Sequence, residues 1–144
     1  MGLIIHFEPW LHREIDWNWL QQLPEAWYVA DIGQLLPGRS GRALPLRLLL
    51  EHLVPAHIEI TGLILQSERD GFSKRISYAP VRDHAWLVFE LHEAPLPESL
   101  GGPFRLLVKG TVPCGRAELD HCVNVKHLSR IDLQTSPDTF RAGP

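Results

Sequence analysis

The sequence predicts an α+β domain that is mainly β. Apolar stretches with strand character alternate with turn signals along most of the chain, and only one or two short segments are typical of helices. These elements do not repeat as βαβ units, which argues against a regular parallel sheet covered by helices. The chain has 144 residues, of which 44% are hydrophobic and 22% charged, the size and composition of a globular domain. We therefore expect residues 1–144 to form a single domain.

The first half of the chain contains the predicted helix. Residues 3–7 are short and apolar, as in a strand, and a loop punctuated by Pro-Gly and Ser-Gly follows at 34–42. Pro45 suits the first turn of a helix, and Pro55 ends it. The apolar face between the two prolines has the spacing i, i+3, i+4 and i+7 and consists of Leu46, Leu49, Leu50 and Leu53.

The second half of the chain consists of predicted strands. Residues 57–65 alternate as a half-buried strand with Ile58, Ile60 and Ile64 on one face, and after an Asp-Gly turn residues 72–78 return as a hairpin partner. Residues 85–91 are almost continuously apolar, which is typical of a central strand covered on both faces. A Gly-Gly-Pro turn at 101–103 leads into a further apolar strand at 104–109.

Composition excludes several classes of function. The formal net charge of -3 gives no basic footprint, so we expect no nucleic-acid partner. No segment approaches the roughly 20 apolar residues of a membrane helix, and the N-terminus lacks the basic region of a signal peptide. We therefore expect no membrane association and a cytoplasmic protein. Two cysteines are too few for a disulfide scaffold.

The N-terminal region is rich in tryptophan, with Trp10, Trp17, Trp19 and Trp27 among the first thirty residues. Such side chains combine a large apolar surface with one N–H donor, so we expect them to pack at the edge of the core or at an interface. The alternatives are a platform on which a ligand stacks, or a surface that covers a protein partner or a second copy of the chain.

Several segments resemble one known family in their order and spacing. They are Arg42–Leu50, His57–Ile60, Asp70–Val81, Trp86–Pro97, Gly101–Val108 and Val125–Ile131. Together they resemble the sulfite oxidase-like molybdopterin-binding domain over roughly residues 40–133. The resemblance implies that family's fold, α+β and mainly β, truncated on the N-terminal side.

The resemblance also implies a set of cofactor-binding residues. Lys126 matches the family's loop lysine, Arg105 its strand arginine and Arg130 the following basic position, whereas His127 replaces a tryptophan. We expect these four residues to contact a pterin or another small anionic ligand. In that family a cysteine upstream of the helix ligates molybdenum, but no cysteine precedes Cys114 in this sequence.

The long loop before Lys126 contains Cys114, His121 and Cys122, which the resemblance does not explain. They are interpreted either as ordinary buried thiols or as a small zinc site formed by Cys114, Cys122 and His121. The spacing Cys-x7-Cys differs from the usual Cys-x2–4-Cys of such sites. A reducing cytoplasm disfavours a disulfide. A further alternative is that one of the two cysteines ligates molybdenum from the other side of the pocket.

Three functional hypotheses follow. The first is a non-catalytic or accessory module that binds a pterin or another anion and has lost the molybdenum thiolate ligand. The second is a molybdopterin-dependent oxidoreductase with unusual ligation. The third is a structural or interaction domain with a small Cys/His metal site. The corresponding cofactors are molybdopterin, none, or zinc.

Overall fold

The computed structural model describes residues 2–8, 11–109 and 124–135, and within them the fold is mainly β. The loop residues Cys114, His121 and Cys122 lie outside this part, as does Trp10. The strands are β1 (Leu3–Phe7), β2 (Leu11–Ile15), β3 (Arg42–Pro45), β4 (Ile60–Ser67), β5 (Phe72–Ser77), β6 (Ala85–Leu91), β7 (Ala94–Pro95), β8 (Arg105–Val108) and β9 (Arg130–Thr135). The helices are α1 (Trp17–Leu20) and α2 (Leu46–Leu53), with 3₁₀ turns at Glu25–Trp27, Ile32–Gln34 and Glu98–Leu100. The α+β, mainly β prediction is confirmed.

The strands form two sheets. The first has the order β2-β1-β9-β4-β5, and its strands pair antiparallel except β1 with β9, which pair parallel. In the second, β6 is central and pairs antiparallel with β3, β7 and β8. The sequence neighbours β4 and β5 form the hairpin that the Asp-Gly turn predicts.

Strand β6 is covered on both faces, as its continuous apolar sequence predicts. Leu87 and Phe89 are fully buried in the main core, which also receives the inward side chains of the first sheet. Val88 points the other way into a smaller cluster with four other buried residues, Ile32, Ala43, Leu96 and Leu107. The 3₁₀ turn Ile32–Gln34 and the two leucines after it, Leu35 and Leu36, therefore cover the second face of this sheet.

Helix α2 lies between two prolines. Pro45 is its N-cap residue, and the helix ends at Leu53, two residues before Pro55. Leu46, Leu49 and Leu50 are fully buried in the main core, and burying each such side chain contributes roughly 1.5–3 kcal/mol. The predicted helix and its apolar face are confirmed.

The predicted inner face of β4 is wrong beyond its first residues. Ile58 and Ile60 contact the main core, but from there on Leu63 and Leu65 are the fully buried side chains and Ile64 lies on the outer face. The pairing of β4 with β9 shifts register between Ile60 and Gly62. Because side chains alternate with a period of two, a one-residue shift exchanges the two faces of a strand.

The N-terminal tryptophans pack at the edge of the core. Trp17, Trp19 and Trp27 are partly buried against the main cluster, which confirms the packing prediction for these three residues. Asp16 caps α1 by accepting a hydrogen bond from the backbone N–H of Trp19 at 2.9 Å. Whether this surface also covers a partner or a second copy stays a prediction. Among the described residues, none of the helices has the length and apolar character needed to span a bilayer.

Candidate anion-binding cavity

The Gly-Gly-Pro turn before β8 requires both of its glycines. Gly101 ends the 3₁₀ turn with a φ of +93°, in the left-handed region. Gly102 lies against the preceding segment, where a Cβ would be 1.8 Å from the carbonyl oxygen of Leu96. The chain can make this close approach only without side chains, and the approach sets the direction in which β8 begins.

Arg105, the first residue of β8, has a partly buried guanidinium group. Its Nη1 donates a hydrogen bond to the carbonyl oxygen of Leu100 at 3.1 Å. Its Nε is buried and has no hydrogen-bond partner among the described residues. Burial lowers the pKa of Arg105, and the nearby Arg39 guanidinium lowers it further. Both effects oppose the positive charge, so a bound anion would relieve them.

Lys126 reaches the same place from the segment before β9. Backbone hydrogen bonds between Val125 and Leu106, at 2.9 and 3.0 Å, hold this segment beside β8. A Cβ placed on Gly101 would be 3.2 Å from Cγ of Lys126 and 3.0 Å from Cδ of Arg105. The two cationic side chains therefore pass over the same glycine.

These side chains border a cavity of about 420 Å³. Three of its lining residues are cations, Arg39, Arg105 and Lys126, and one is a carboxylate, Asp70. The remaining lining residues are Phe72, Asn124 and Val125. Guanidinium and ammonium groups that converge in this way suit phosphate or another oxyanion. We call this set of seven residues the anion cavity.

Arg39 was not among the residues predicted from the sequence. It lies in the loop before β3, which returns to the sheet through a backbone hydrogen bond from Ile32 to Gly41 at 2.7 Å. Arg105 is paired with Val88 across β6 and β8, so both face the cluster that this loop covers. The Pro-Gly-Arg-Ser-Gly turn identified the loop, but only the sheet pairing shows which strand it approaches.

The four predicted cofactor residues do not all meet. Arg105 and Lys126 line the anion cavity, whereas Arg130 lies at a neighbouring cavity of about 430 Å³ and is paired with Asp132, at 2.9 Å between Nη2 and Oδ1. Their hydrogen bond raises the pKa of Arg130. His127 has a φ of +52°, and its Nδ1 lies 2.8 Å from the carbonyl oxygen of Gly102. Since a carbonyl can only accept, Nδ1 donates, and the ring ties this segment to the glycine turn.

A larger cavity of about 680 Å³ lies elsewhere, between the end of α2 and the start of β4. Its ionisable lining is mixed in sign, with Glu51, Glu59, His57 and Arg82. It contains none of the residues predicted to bind a ligand. Volume alone therefore does not identify the site, and the excess of cations among the described residues of the anion cavity is the better indication.

A comparison with protein families identifies this fold. The family model for the oxidoreductase molybdopterin binding domain matches residues 42–140. The chain therefore belongs to this family. A search of curated proteins finds no match.

The anion cavity fits one part of the cofactor that this family implies. A molybdopterin carries a phosphate, and the buried Nε of Arg105, with Arg39 and Lys126 beside it, offers donors of the right charge. The metal requires other ligands. Among residues 2–8, 11–109 and 124–135, no group of three or more His, Cys, Asp or Glu side chains could hold a metal ion.

Proposed function

We propose that this protein is an accessory module that binds a pterin or another small phosphate-bearing anion without itself performing catalysis. Arg105 and Lys126 would hold the anionic group, and Arg39 would add a third cation. The proposal rests on the Nε of Arg105, which is buried and has no hydrogen-bond partner within residues 2–8, 11–109 and 124–135. A buried donor without a partner costs about 1–3 kcal/mol, and a ligand oxygen at this position would remove that cost.

The accessory role rests on the ligand chemistry of the family. Molybdenum is held there by a thiolate upstream of the helix, at a place where this sequence has no cysteine. When bound, a molybdenum cofactor would supply two-electron oxidation or reduction of a small oxyanion. The proposal assigns this chain the binding of the anion and leaves that chemistry to a partner. Cys114 and Cys122, outside the described residues, are the candidates for the alternative, an oxidoreductase with unusual ligation.

The binding test uses inorganic phosphate and a pterin phosphate as probes, at low ionic strength because salt screens charged contacts. Isothermal titration with the wild type is compared with titration of Arg105→Met and Lys126→Met. Charge-assisted hydrogen bonds contribute about 1.5–3 kcal/mol, so we expect each variant to bind roughly 10- to 100-fold more weakly. Tighter binding of the pterin phosphate than of phosphate would identify the pterin as the preferred ligand.

Arg82→Met is the matched control. Arg82 is 53% exposed, and its ion pair with Glu51 is long, at 3.8 Å. It lines the other cavity and not the anion cavity. Arg82→Met removes one positive charge, as Arg105→Met and Lys126→Met do. Because Arg82 does not line the anion cavity, phosphate affinity should stay within about twofold of the wild type. An equal loss in all three variants would contradict a specific site.

Elemental analysis separates the accessory module from the oxidoreductase and from the structural Cys/His site. Protein purified from molybdenum-replete cells should contain less than stoichiometric molybdenum if the chain is an accessory module. Stoichiometric molybdenum with an extractable pterin, lost in Cys114→Ser or Cys122→Ser, would support the oxidoreductase instead. Stoichiometric zinc lost in the same variants would support the structural Cys/His site.

A further inference from the structure

Two histidines face each other across the first sheet. His6 on β1 and His12 on β2 are direct partners in the antiparallel register. Their Nδ1 atoms are 2.9 Å apart, with the rings inclined at 74°. At this distance the N–H of one imidazole donates a hydrogen bond to the lone pair of the other, so the two Nδ1 atoms share one proton. The pair therefore places two imidazole nitrogens close enough together for one metal ion to bind both.

Glu8 lies beside the other ring nitrogen of His6. Its Oε1 is 2.9 Å from Nε2 of His6, and a carboxylate at this distance favours the tautomer with the proton on that nitrogen. With the proton on Nε2, neutral His6 presents its lone pair at Nδ1, toward His12. A carboxylate on the far nitrogen is the usual arrangement behind a metal-bound histidine, where it orients the ring and raises its basicity.

We propose that His6 and His12 bind a divalent transition metal, with Cu²⁺ the most strongly bound, through their two Nδ1 atoms. Imidazole is a preferred ligand of copper, nickel and zinc, and affinity across this series is highest for Cu²⁺. Metal–nitrogen bonds of about 2.0–2.1 Å at angles between square and tetrahedral place two nitrogens about 2.9–3.4 Å apart. The observed separation of 2.9 Å is at the lower end of this range, so the metal can replace the shared proton after a small rotation of the rings.

Water completes the coordination of this metal. Asp132 is the next residue across the sheet, opposite His6, but its carboxylate already accepts hydrogen bonds from Arg130 at 2.9 Å and Gln66 at 2.7 Å. The site therefore has two protein ligands, in agreement with the absence of a three-residue metal group from the described residues. His12 is exposed on an edge strand, so the metal is open to exchange with solvent. None of these residues lines the anion cavity, and the proposal is independent of the proposed function.

The test is a titration of the full chain with Cu²⁺ at pH 7.5, followed by electron paramagnetic resonance. We expect one tightly bound ion whose spectrum shows coupling to two nitrogens. His12→Ala should bind at least tenfold more weakly and lose one nitrogen coupling, and because His12 is exposed this variant should keep its fold, as circular dichroism will check. Glu8→Gln should keep both couplings but bind about 10- to 100-fold more weakly.

His84→Ala, which removes an exposed histidine from another part of the chain, is the control and should leave affinity and spectrum unchanged. Identical spectra for the wild type and His12→Ala would overturn the proposal. So would a sulfur-to-copper charge-transfer band, which would place the metal at Cys114 or Cys122. Failure of the wild type to bind Cu²⁺ more tightly than His12→Ala would overturn it as well.

Discussion

Glu90 and Arg105 lie on the paired strands β6 and β8, but their charged groups differ in how many hydrogen-bond and ion-pair partners they have. The carboxylate of Glu90 is buried and accepts hydrogen bonds from Nε1 of Trp17 at 3.1 Å and Nε2 of Gln21 at 2.9 Å. Arg42 lies 3.5 Å from the same oxygen, and its guanidinium stacks on the ring of Tyr28. Arg105 has only the carbonyl of Leu100 and, among the described residues, leaves Nε without a partner.

This difference in partners indicates that Glu90 stabilises the fold, whereas Arg105 is available to bind a ligand. Around Glu90, the donors come from α1, from the residue that follows it, Gln21, and from β3, so the charge connects the N-terminal segment to the second sheet. Around Arg105, the anion cavity has two further cations and one carboxylate, Asp70, so positive charge is in excess among its described residues. Folding tolerates a buried charge when its partners are present. The charge that lacks partners is the better candidate for binding.

The sharpest way to test this comparison is Glu90→Ala. The substitution leaves the guanidinium of Arg42 and the donors of Trp17 and Gln21 without their acceptor. Breaking a buried charge pair in this way costs about 3–5 kcal/mol, so we expect the free energy of unfolding in urea to fall by that amount. Glu51→Ala, at an exposed ion pair with Arg47, should cost about 1 kcal/mol or less. Equal effects of the two variants would show that the Glu90 network is not structural.

Arg105→Met should behave in the opposite way. It replaces a partly buried cation, whose Nε lacks a partner among the described residues, with an apolar side chain of similar length. The cost of burying the charge is removed, which offsets the lost hydrogen bond to the carbonyl of Leu100. We expect the free energy of unfolding to stay within about 1 kcal/mol of the wild type or to rise, while phosphate affinity falls. Urea unfolding with and without phosphate measures both. A loss of stability as large as that of Glu90→Ala would mean that Arg105 is a structural residue.

The parts of the fold that the sequence predicted depend on local signals. Two prolines and a leucine periodicity were enough for α2, and the continuous apolar run of β6 indicated cover on both faces. Arg105 and Lys126 were proposed from a resemblance, and the structure brings them together across Gly101. For these elements, local chemistry and the final contacts agree.

The parts that the sequence could not predict depend on pairing over long distances. The side chains of β4 that face the core change from one alternating set to the other where its register with β9 shifts. The sequence of β4 contains no signal that predicts this shift. Arg39 meets Arg105 only because its loop covers the second face of β6. Likewise, the sequence does not distinguish Glu90 from an ordinary charge near a strand end, because its partners Trp17 and Gln21 lie 73 and 69 residues away in the chain.

Gly101→Ala tests how far the anion cavity depends on its turn. A left-handed conformation costs an L-residue about 1–2 kcal/mol, and the added Cβ would be 3.0 Å from Cδ of Arg105. We expect a loss of stability of about that size together with weaker phosphate binding. Gly38→Ala is the matched control, because its φ of +89° imposes the same backbone strain while nothing lies within 4 Å of the new Cβ. If both variants weaken phosphate binding equally, the contact at Gly101 does not shape the cavity.

The smallest expected effect is a loss of stability at alkaline pH in the Glu90 region. Burial raises the pKa of Tyr28, and a hydrogen bond from the backbone N–H of Leu23 opposes this shift only in part. Below a pH of about 10 the tyrosine is protonated in both the folded and unfolded states, and the stability contribution is fully present. Above that pH the unfolded chain releases the proton more readily than the folded protein, so the free energy of unfolding falls as pH rises.

Urea unfolding at pH 8, 9.5 and 10.5 should therefore show a steeper decline for the wild type than for Tyr28→Phe. The variant also loses the hydrogen bond that the hydroxyl donates to the carbonyl of Leu20, so its stability should be lower at pH 8, and only the slope tests the titration. Tyr78, whose pKa burial also raises, remains in both proteins and adds the same alkaline decline to each. Parallel curves would show that Tyr28 ionises equally easily in the folded and unfolded states, and that the region around Glu90 is more open to water than its hydrogen bonds indicate.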